Sequence, residues 1–406
     1  MSGRLYRNAA RLCSQSYIRT LSGVLVGLCN ELGEGRGHFA RLAPIGEELR
    51  RRGYRIRYFA AEPDLARAVG IAPSDIEGVP HAATSVAEGT AVTFGEAVAR
   101  TIYGSSESVT AQIAAWSAAL EGADLIVADY SPSALVASRG RRPRIALGNG
   151  FTMPPANIPF YPRLWRKGPG PVHDERRVAA DINSALAALG ISPIANYPEV
   201  MAAERRFVFS VPPLDPYDGL RNEPLYGSLH RVPPPSDDKR RDCVFAYFRG
   251  RWARDPRLVA ALSTLREGRF VLAGATPEAR AIAARGGSVV TDVVLPLAEV
   301  LPRTRLIVHY GGGALVLEAL LAGIPQIILA TDIEKHLNGA KLAERGAARV
   351  LDWRAFTAAE LGDCIAECRD DAEMRKAANT VAVENAAFGR GGGVELVARA
   401  VDELLA

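Results

Sequence analysis

The sequence has few cysteines, little net charge and no long apolar run, and each shortage argues against a class of protein. Its five cysteines are scattered over 406 residues, which argues against a disulfide framework and fits a reducing compartment. The formal net charge of +4 is too small to indicate nucleic-acid binding. The most apolar segment, 314–330, contains Glu318, Pro325 and Gln326. It therefore predicts a buried helix and strand in a soluble protein rather than a membrane span.

Two patterns that usually accompany metal ions are also missing. The sequence has no Asp-x-Asp pattern, although carboxylates are the usual ligands of a Mg²⁺ ion that bridges a diphosphate. Cys364 and Cys368 stand four residues apart on a predicted helix, but no second Cys or His pair accompanies them, which argues against zinc. We predict no metal and no cofactor.

What is present is the composition of a globular protein, with 48% hydrophobic and 23% charged residues. The length suits two domains of about 150–200 residues each. The first 21 residues differ from the rest because they contain arginines and no acidic residue. They resemble a transit peptide in composition, and we favour a disordered or extraneous extension. Weak contact with a membrane surface is the alternative.

Short apolar runs alternate with helical patterns along the chain. An apolar run at 23–29 precedes a glycine-rich turn, a helical pattern that ends at Gly53 and a second run at 54–59, which together predict a βαβ unit. A proline-rich stretch at 212–235 predicts a linker, after which the alternation resumes. This pattern predicts parallel sheets with helices on both faces. The expected fold class is α/β, with two Rossmann-like domains facing across a cleft.

The predicted domain boundaries follow from this alternation. They are an extension at 1–21, an N-terminal domain at 22–211, the linker at 212–235, a C-terminal domain at 236–385 and a last segment at 386–406. The last segment contains an amphipathic helix. One interpretation is that this helix crosses back to the N-terminal domain.

The turn after the first predicted strand carries the first candidate site. It reads Gly-Glu-Gly-Arg-Gly from Gly33, and His38 follows on the first helical turn. Glycines let a ligand approach the backbone, and a helix N-terminus disfavours a protonated histidine. His38 is therefore a candidate general base at the carboxyl edge of the sheet. A cap or a loop contact is an equally good interpretation.

A triple-glycine turn at 311–313 carries the second candidate site, between a strand that ends at His309 and a helix that begins near Ala314. Backbone N–H groups at such a helix start bind anions, and a diphosphate is the natural occupant. Glu318, about one turn into the helix, is placed to accept both hydroxyls of a ribose. A purely structural turn is the alternative.

The second motif resembles the donor-binding signature of the nucleotide-sugar glycosyltransferases with two Rossmann-like domains, known as the GT-B type. The likeness is to the bacterial family 1 branch that glycosylates macrolides and other lipophilic small molecules. The matching segments are Pro-Leu-Ala-Glu-Val-Leu-Pro at 296–302, His-Tyr-Gly-Gly-Gly-Ala at 309–314, Ala-Gly-Ile-Pro at 322–325 and Glu-Lys-His-Leu-Asn at 334–338. Gly37-His38 also matches the start of the family.

Three positions depart from this signature. Tyr310 stands where the family has its phosphate-contacting histidine, and His309 lies one residue earlier. Ala314-Leu315 replaces a Gly-Thr pair, and Lys335 replaces a glutamine. Tyr310 can donate a hydrogen bond but carries no charge, whereas Lys335 could meet a phosphate or an acidic sugar. We expect these changes to affect the donor sugar more than the class of enzyme.

The resemblance implies an inverting, metal-independent glycosyltransferase that takes a UDP- or dTDP-sugar as co-substrate and binds the acceptor in the N-terminal domain. His38 would remove the proton of the acceptor hydroxyl. Asp129, which follows the predicted strand at 123–128, would orient His38. The alternative is that Asp129 is a residue of a surface turn. The predicted donor-binding residues are His309, Tyr310, Gly311, Gly312, Gly313, Ala314, Glu318, Glu334, Lys335, Arg249 and Arg251. The loop at 149–171 is rich in aromatic residues and predicts an apolar or planar acceptor, and its predicted acceptor-binding residues are Phe151, Phe160, Tyr161 and Trp165. That these rings simply belong to the core is the alternative.

Other functions remain open at this level. They are a transferase that acts on a lipid-linked precursor at a membrane surface, a nucleotide-sugar epimerase and a nucleotide-binding protein with a degenerate site. The acceptor is a small molecule, a lipid or a glycan. The implied location is the cytoplasm, with a peripheral contact at the inner membrane face as the variant that the basic extension favours.

Overall fold

The computed structural model describes residues 23–33, 35–81, 91–165, 170–235 and 242–406. The extension predicted at 1–21 lies outside the described residues. The chain divides into two compact units. The N-terminal unit comprises the chain up to Phe209, Tyr217–Leu225 and Gly392–Ala406, and the C-terminal unit comprises Ser210–Pro216 and Tyr226–Gly391. The stretch at 212–235 thus contributes residues to both units.

The N-terminal unit is built on a parallel sheet of six strands in the order β3-β2-β1-β4-β5-β6. Its strands are β1 Leu25–Asn30, β2 Arg55–Ala60, β3 Ile76–Gly78, β4 Leu125–Asp129, β5 Arg144–Gly148 and β6 Arg205–Val208. Strands β1 and β4 are neighbours, with Asn30 opposite Asp129 at their carboxyl ends. The strand order reverses between them, which is where open α/β sheets bind ligands.

Helices cover this sheet because their apolar residues recur every three or four positions. The first six are α1 Gly37–Arg51, α2 Pro63–Arg67, α3 Phe94–Thr101, α4 Ser106–Ala119, α5 Pro132–Ala137 and α6 Glu175–Ala188. In α1, Phe39, Leu42, Ile45 and Leu49 are buried. This helix therefore packs firmly on the sheet and holds its first turn at the carboxyl end of β1.

The C-terminal unit repeats the architecture with the order β12-β11-β10-β7-β8-β9. Its strands are β7 Cys243–Arg249, β8 Gly268–Ala273, β9 Val289–Thr291, β10 Thr304–His309, β11 Gln326–Ala330 and β12 Ala348–Asp352. Residues of β10 alternate between two apolar clusters, with Ile307 in one and Leu306 and Val308 in the other. Both faces of the sheet are therefore covered, as parallel sheets require.

The remaining helices complete both units. They are α7 Pro256–Ser263, α8 Pro277–Ala283, α9 Leu297–Val300, α10 Gly313–Leu321, α11 Ile333–Glu344, α12 Ala358–Asp370, α13 Ala372–Glu384 and α14 Gly393–Leu405. Helix α14 belongs to the N-terminal unit, where Asp402 accepts a hydrogen bond of 2.8 Å from the Tyr54 hydroxyl. None of the helices in the described part of the chain combines the length and the apolar character that a membrane crossing requires.

The α/β class expected from the sequence is confirmed by these two parallel sheets. Most predicted strands and helices occur with ends shifted by one to three residues. The segment 149–171 has no helix or strand among its described residues.

Candidate active-site residues

The first candidate site lies in the N-terminal unit, where β1 and β4 end. His38 is the second residue of α1, and Asp129 is the last residue of β4. The Nδ1 atom of His38 lies 2.8 Å from Oδ1 of Asp129. The Asp129 side chain is fully buried, whereas the His38 side chain is 14% exposed. A carboxylate at this distance favours the tautomer with its proton on Nδ1, which leaves Nε2 able to accept a proton.

Arg41 is a third member of this site that the sequence analysis did not include. Its guanidinium group binds Oδ2 of Asp129, the oxygen that His38 does not use. A buried carboxylate needs compensation for its lost hydration, and Arg41 supplies a positive charge for it. The spacing of three residues from His38, which places both side chains on one helix face, is the signal that could have found it.

The backbone around the pair is fixed by hydrogen bonds from the end of β1. The Asn30 side chain donates to the carbonyl oxygens of Asp129 and Leu32, at 3.0 Å and 2.9 Å. Gly33 has a positive φ of 100°, and a Cβ added there would lie 2.3 Å from Nε2 of His38. Gly33 therefore makes room for the imidazole, a reason for glycine that differs from the ligand approach expected from the sequence.

The structure divides the four residues predicted for acceptor binding. Phe151 and Tyr161 are only 3% and 5% exposed and pack in the core of the N-terminal unit, so we no longer assign them to the acceptor. Phe160 is 49% exposed, and the guanidinium group of Arg176 lies 5.4 Å from its ring centre. Trp165 is partly exposed. Hydrophobicity alone did not distinguish the core rings from the accessible ones.

The second candidate site lies in the C-terminal unit, between β10 and α10. Gly311 has a φ of 88°, and a Cβ there would lie 2.9 Å from Cγ2 of Ile328 and from Cβ of Lys335. Gly312 is the N-cap of α10, and no side chain caps this helix. The first N–H groups of an α-helix have no partner within the helix. The turn therefore presents backbone donors at the positive end of a helix dipole.

His309 supports this turn from inside the protein. Its ring is completely buried. Nδ1 accepts a hydrogen bond of 3.1 Å from the Gly311 N–H, and Nε2 lies 3.0 Å from the side-chain oxygen of Gln326. Burial lowers the pKa of His309 to about 4. Both nitrogens are committed and the ring is neutral, which removes His309 from the residues that we assign to phosphate contact.

Tyr310 and Lys335 lie beside the glycine turn. The Tyr310 ring is partly exposed and packs 6.0 Å from the ring of Tyr247. The Lys335 ammonium lies 2.7 Å from Glu334 and 3.5 Å from Asp332. Burial opposes its charge, but the attraction of these two carboxylates outweighs burial and holds the pKa of Lys335 above its usual value.

Glu318 differs from these residues because its carboxylate has no hydrogen-bond or ion-pair partner in the described part of the chain. It is mostly buried in α10. Burial raises its pKa to about 7. An unpaired, mostly buried carboxyl group beside the glycine turn is typical of a group that binds a ligand.

The two arginines after the first strand of the C-terminal unit have different surroundings. Arg249 ends β7, and its Nε atom is buried without a hydrogen-bond partner among the described residues. Arg251 instead lies over the ring of Trp252, with its guanidinium carbon 4.1 Å from the ring centre. Arg249 therefore has a buried Nε donor that is open to a ligand at the carboxyl edge of the sheet.

Among the residues that the structure describes, no group of three or more His, Cys, Asp or Glu side chains could hold a metal ion. The sulfur atoms of Cys364 and Cys368 lie 4.0 Å apart, and both cysteines are free.

Residues 271–401 match the family model of the erythromycin biosynthesis protein CIII-like C-terminal domain. The matched segment is about a third of the chain. It contains the glycine turn, Glu318 and Lys335, whereas Arg249 and Arg251 precede it.

A curated relative and two solved structures agree with this family. Tylactone mycaminosyltransferase of Streptomyces fradiae is 33% identical over 90 residues, which cover 22% of this chain and only 20% of that enzyme. The structure of the kitacinnamycin glycosyltransferase has a TM-score of 0.64 at 19% identity, and the match covers 95% of this chain and 99% of that one. The glycosyltransferase VinC, solved in complex with dTDP, has a TM-score of 0.61 at 17% identity over 94% and 98% of the two chains. The fold of the chain is therefore that of the GT-B glycosyltransferases.

Proposed function

We propose that the protein is a glycosyltransferase that moves a sugar from a nucleoside diphosphate donor to a hydroxyl group of an apolar acceptor. The observation that carries this proposal is the pair formed by His38 and Asp129, 2.8 Å apart at the switch point of the N-terminal sheet. A neutral imidazole backed by a buried carboxylate is suited to remove a proton from a hydroxyl group. The EryCIII-like C-terminal domain and the GT-B fold support the same class of reaction.

In the proposed reaction, Nε2 of His38 takes the proton of the acceptor hydroxyl. The acceptor oxygen forms a bond to the anomeric carbon of the sugar while the bond from that carbon to the diphosphate oxygen breaks. The nucleoside diphosphate leaves with the bonding electrons, and the configuration at the anomeric carbon is inverted. Asp129 stabilises the imidazolium that results, since it stays ionised and accepts a hydrogen bond from the Nδ1–H group.

The donor is assigned to the glycine turn of the C-terminal unit. The uncapped start of α10 provides N–H groups for the diphosphate, and the Tyr310 hydroxyl and Arg249 add a hydrogen bond and a positive charge. Glu318 accepts hydrogen bonds from the free hydroxyls of the nucleoside sugar, which are the 2′- and 3′-hydroxyls in a UDP-sugar and the 3′-hydroxyl alone in a dTDP-sugar. Lys335 is already paired with Glu334, so we assign this couple to the sugar rather than to phosphate. The dTDP bound to VinC makes a dTDP-sugar the first donor to test, with UDP-sugars next.

The reaction is proposed to need no metal ion, because the helix start, Tyr310 and Arg249 would neutralise the leaving diphosphate. Turnover that persists in excess EDTA would support this step. Loss of turnover in EDTA and its recovery with Mg²⁺ would contradict it.

Binding of dTDP and UDP, measured by calorimetry, tests the donor site. Gly312 offers a matched pair of variants, because its φ of −60° suits any residue and the atoms nearest to an added Cβ belong to the Tyr310 side chain, at an ordinary contact distance of 3.7 Å. Gly312→Ala should keep nucleotide binding within about fivefold, whereas Gly312→Asp should weaken it by about 30-fold or more, since a carboxylate would occupy the anion site. Absence of binding by the wild-type protein at millimolar nucleotide would refute the proposal.

A second candidate function is nucleotide binding without transfer. It is favoured by Tyr310, which stands where the related glycosyltransferases have a histidine. Nucleotide binding together with no transfer to any acceptor in a mass-spectrometric screen would support this candidate. Transfer that requires His38 would exclude it.

A further inference from the structure

Tyr130, the residue after Asp129, has an unusual backbone. Its φ is +52°, in the left-handed region that bulky side chains rarely enter. Glu267, with φ +61°, is the other non-glycine residue of the described chain with a positive φ. The Leu32 N–H donates a hydrogen bond of 3.1 Å to the Tyr130 carbonyl, and Asn30 holds the preceding carbonyl of Asp129. The conformation is therefore held from both sides, as strained residues at functional sites commonly are.

The left-handed turn changes where the Tyr130 ring lies. Successive side chains of an extended strand point to opposite faces, so Asp129 and Tyr130 could not both reach one residue if β4 continued straight. Here both contact His38, because Asp129 binds Nδ1 while the Tyr130 ring centre lies 5.8 Å from the imidazole centre. The backbone of Tyr130 thus places an aromatic ring beside the base.

Tyr130 is also the partly exposed end of a row of aromatic side chains. Its ring lies 5.7 Å from Phe94, which in turn contacts Phe151 and Tyr161 at 5.7 Å and 5.3 Å. Phe94, Phe151 and Tyr161 are buried, whereas Tyr130 and His38 are not completely covered. The buried rings support Tyr130 from behind and keep its accessible part next to the imidazole.

We propose that the Tyr130 ring is the surface on which the acceptor packs, and that it selects which acceptor hydroxyl reaches Nε2 of His38. This inference rests on the proposed transfer reaction. An aromatic face binds apolar or planar groups well and gives no compensation to a phosphate. The nearby cation, Arg41, is already paired with Asp129. The chemistry beside Tyr130 therefore fits the carbon skeleton of an acceptor rather than the donor diphosphate.

Two substitutions separate the ring of Tyr130 from its backbone. Tyr130→Asn removes the ring and keeps a residue that tolerates the left-handed region, whereas Tyr130→Phe keeps the ring. Glu267→Asn is the matched control, because it makes the same kind of change at the other left-handed position. Thermal unfolding identifies any variant that loses stability.

Acceptor binding is measured by calorimetry and by fluorescence with two hydroxylated probes, tylactone as an apolar macrolactone and umbelliferone as a planar phenol. We expect Tyr130→Asn to weaken probe binding about tenfold and Tyr130→Phe to weaken it less than about threefold. Glu267→Asn should bind the probes like the wild-type protein. Wild-type affinity in Tyr130→Asn, or a wild-type protein that binds neither probe, would overturn the inference.

Binding of dTDP by the same variants distinguishes this inference from the function on which it rests. Nucleotide affinity should not change in Tyr130→Asn. A wild-type protein that binds the probes but no nucleotide would refute the proposed donor and leave Tyr130 as the acceptor surface. Normal nucleotide binding with probe affinity independent of residue 130 would refute the role of Tyr130 alone.

Discussion

The two candidate sites occupy equivalent places in two sheets of the same topology, yet their side chains are organised in opposite ways. At the ends of β1 and β4, His38, Asp129 and Arg41 bind one another. At the end of β10, the helix start has no side-chain cap and Glu318 has no partner in the described chain. The comparison suggests that the chemical step needs groups held in place beforehand, while a ligand site needs groups that stay unpaired until the ligand binds.

Replacement of His38, the proposed general base, should have the largest effect on turnover. Replacing His38 with alanine should lower turnover about 1,000-fold, because no other group takes the proton of the acceptor. The measurement is initial transfer rate with a dTDP-sugar, alongside dTDP affinity by calorimetry, which should stay within about twofold because His38 does not belong to the donor turn. Retained turnover would show that the organised site is not the catalytic one.

Arg41 tests whether the organised site also stabilises the fold. Arg41→Ala should lower the free energy of unfolding by about 3 kcal/mol, since it leaves the fully buried Asp129 carboxylate without its cation. Arg41→Lys, which keeps the charge, should lose less. Urea unfolding followed by circular dichroism gives these values. Equal stability of Arg41→Ala and the wild-type protein would mean that the ion pair contributes nothing net.

Replacement of Glu318 should raise the stability of the protein and weaken its nucleotide binding. Burial raises its pKa to about 7, so its ionised form is less favourable in the folded state than in the unfolded state. Glu318→Gln should therefore match the wild-type stability near about pH 4.5 and exceed it by about 1–3 kcal/mol near about pH 8. It should also weaken dTDP binding about tenfold, through loss of the charge-assisted hydrogen bond to the 3′-hydroxyl of the deoxyribose.

The pH profile sharpens this prediction. Nucleotide affinity of the wild-type protein should fall as the pH drops below about 7, where Glu318 takes up a proton in the free protein. Affinity of Glu318→Gln should lack this dependence.

The buried His309, with a pKa lowered to about 4, acts on stability in the direction opposite to Glu318, because the unfolded chain takes up a proton at this histidine below its ordinary pKa of 6.5. Glu318→Gln should therefore uncover a loss of stability as the pH falls from about 6.5 to about 4. A wild-type nucleotide affinity that stays constant below about pH 7 would contradict the assignment of Glu318. A stability of Glu318→Gln that stays constant from about pH 6.5 to about pH 4 would contradict the burial of a neutral His309.

The smallest predicted effect is a difference in dTDP affinity between variants of Arg249 and Arg251. Arg249→Ala should weaken dTDP binding about fivefold, since it removes a cation whose Nε has no hydrogen-bond partner in the part of the chain that the structure describes. Arg251→Ala should change it less than about twofold, because Arg251 lies over Trp252. Calorimetry on the two variants makes the comparison, and an equal loss would show that both contact the phosphates.

Several features followed from the sequence because they depend on near neighbours. Apolar residues at helical spacing predicted α1, and glycines between an apolar run and a helix predicted the turns before His38 and before α10. These patterns reflect helix periodicity and the conformational freedom of glycine, which are local properties. Candidate roles for His38, Asp129 and Glu318 came from the same short segments and from the family resemblance. The transfer chemistry assigned to them stays a prediction until it is measured.

Other features depended on the tertiary structure because distant segments create them. Parallel pairing of β1 with β4 joins residues about 100 positions apart and brings Asp129 to His38, a non-local contact that no short pattern encodes. That contact was expected only from the family resemblance, and the pairing of Arg41 with Asp129, the burial of His309 and the left-handed turn at Tyr130 were not predicted. The sequence by itself determined the α/β class and the glycine turns, since backbone preferences act locally. Only the tertiary structure decided which side chains are already paired and which remain open to a ligand, since burial and hydrogen bonding depend on the whole fold.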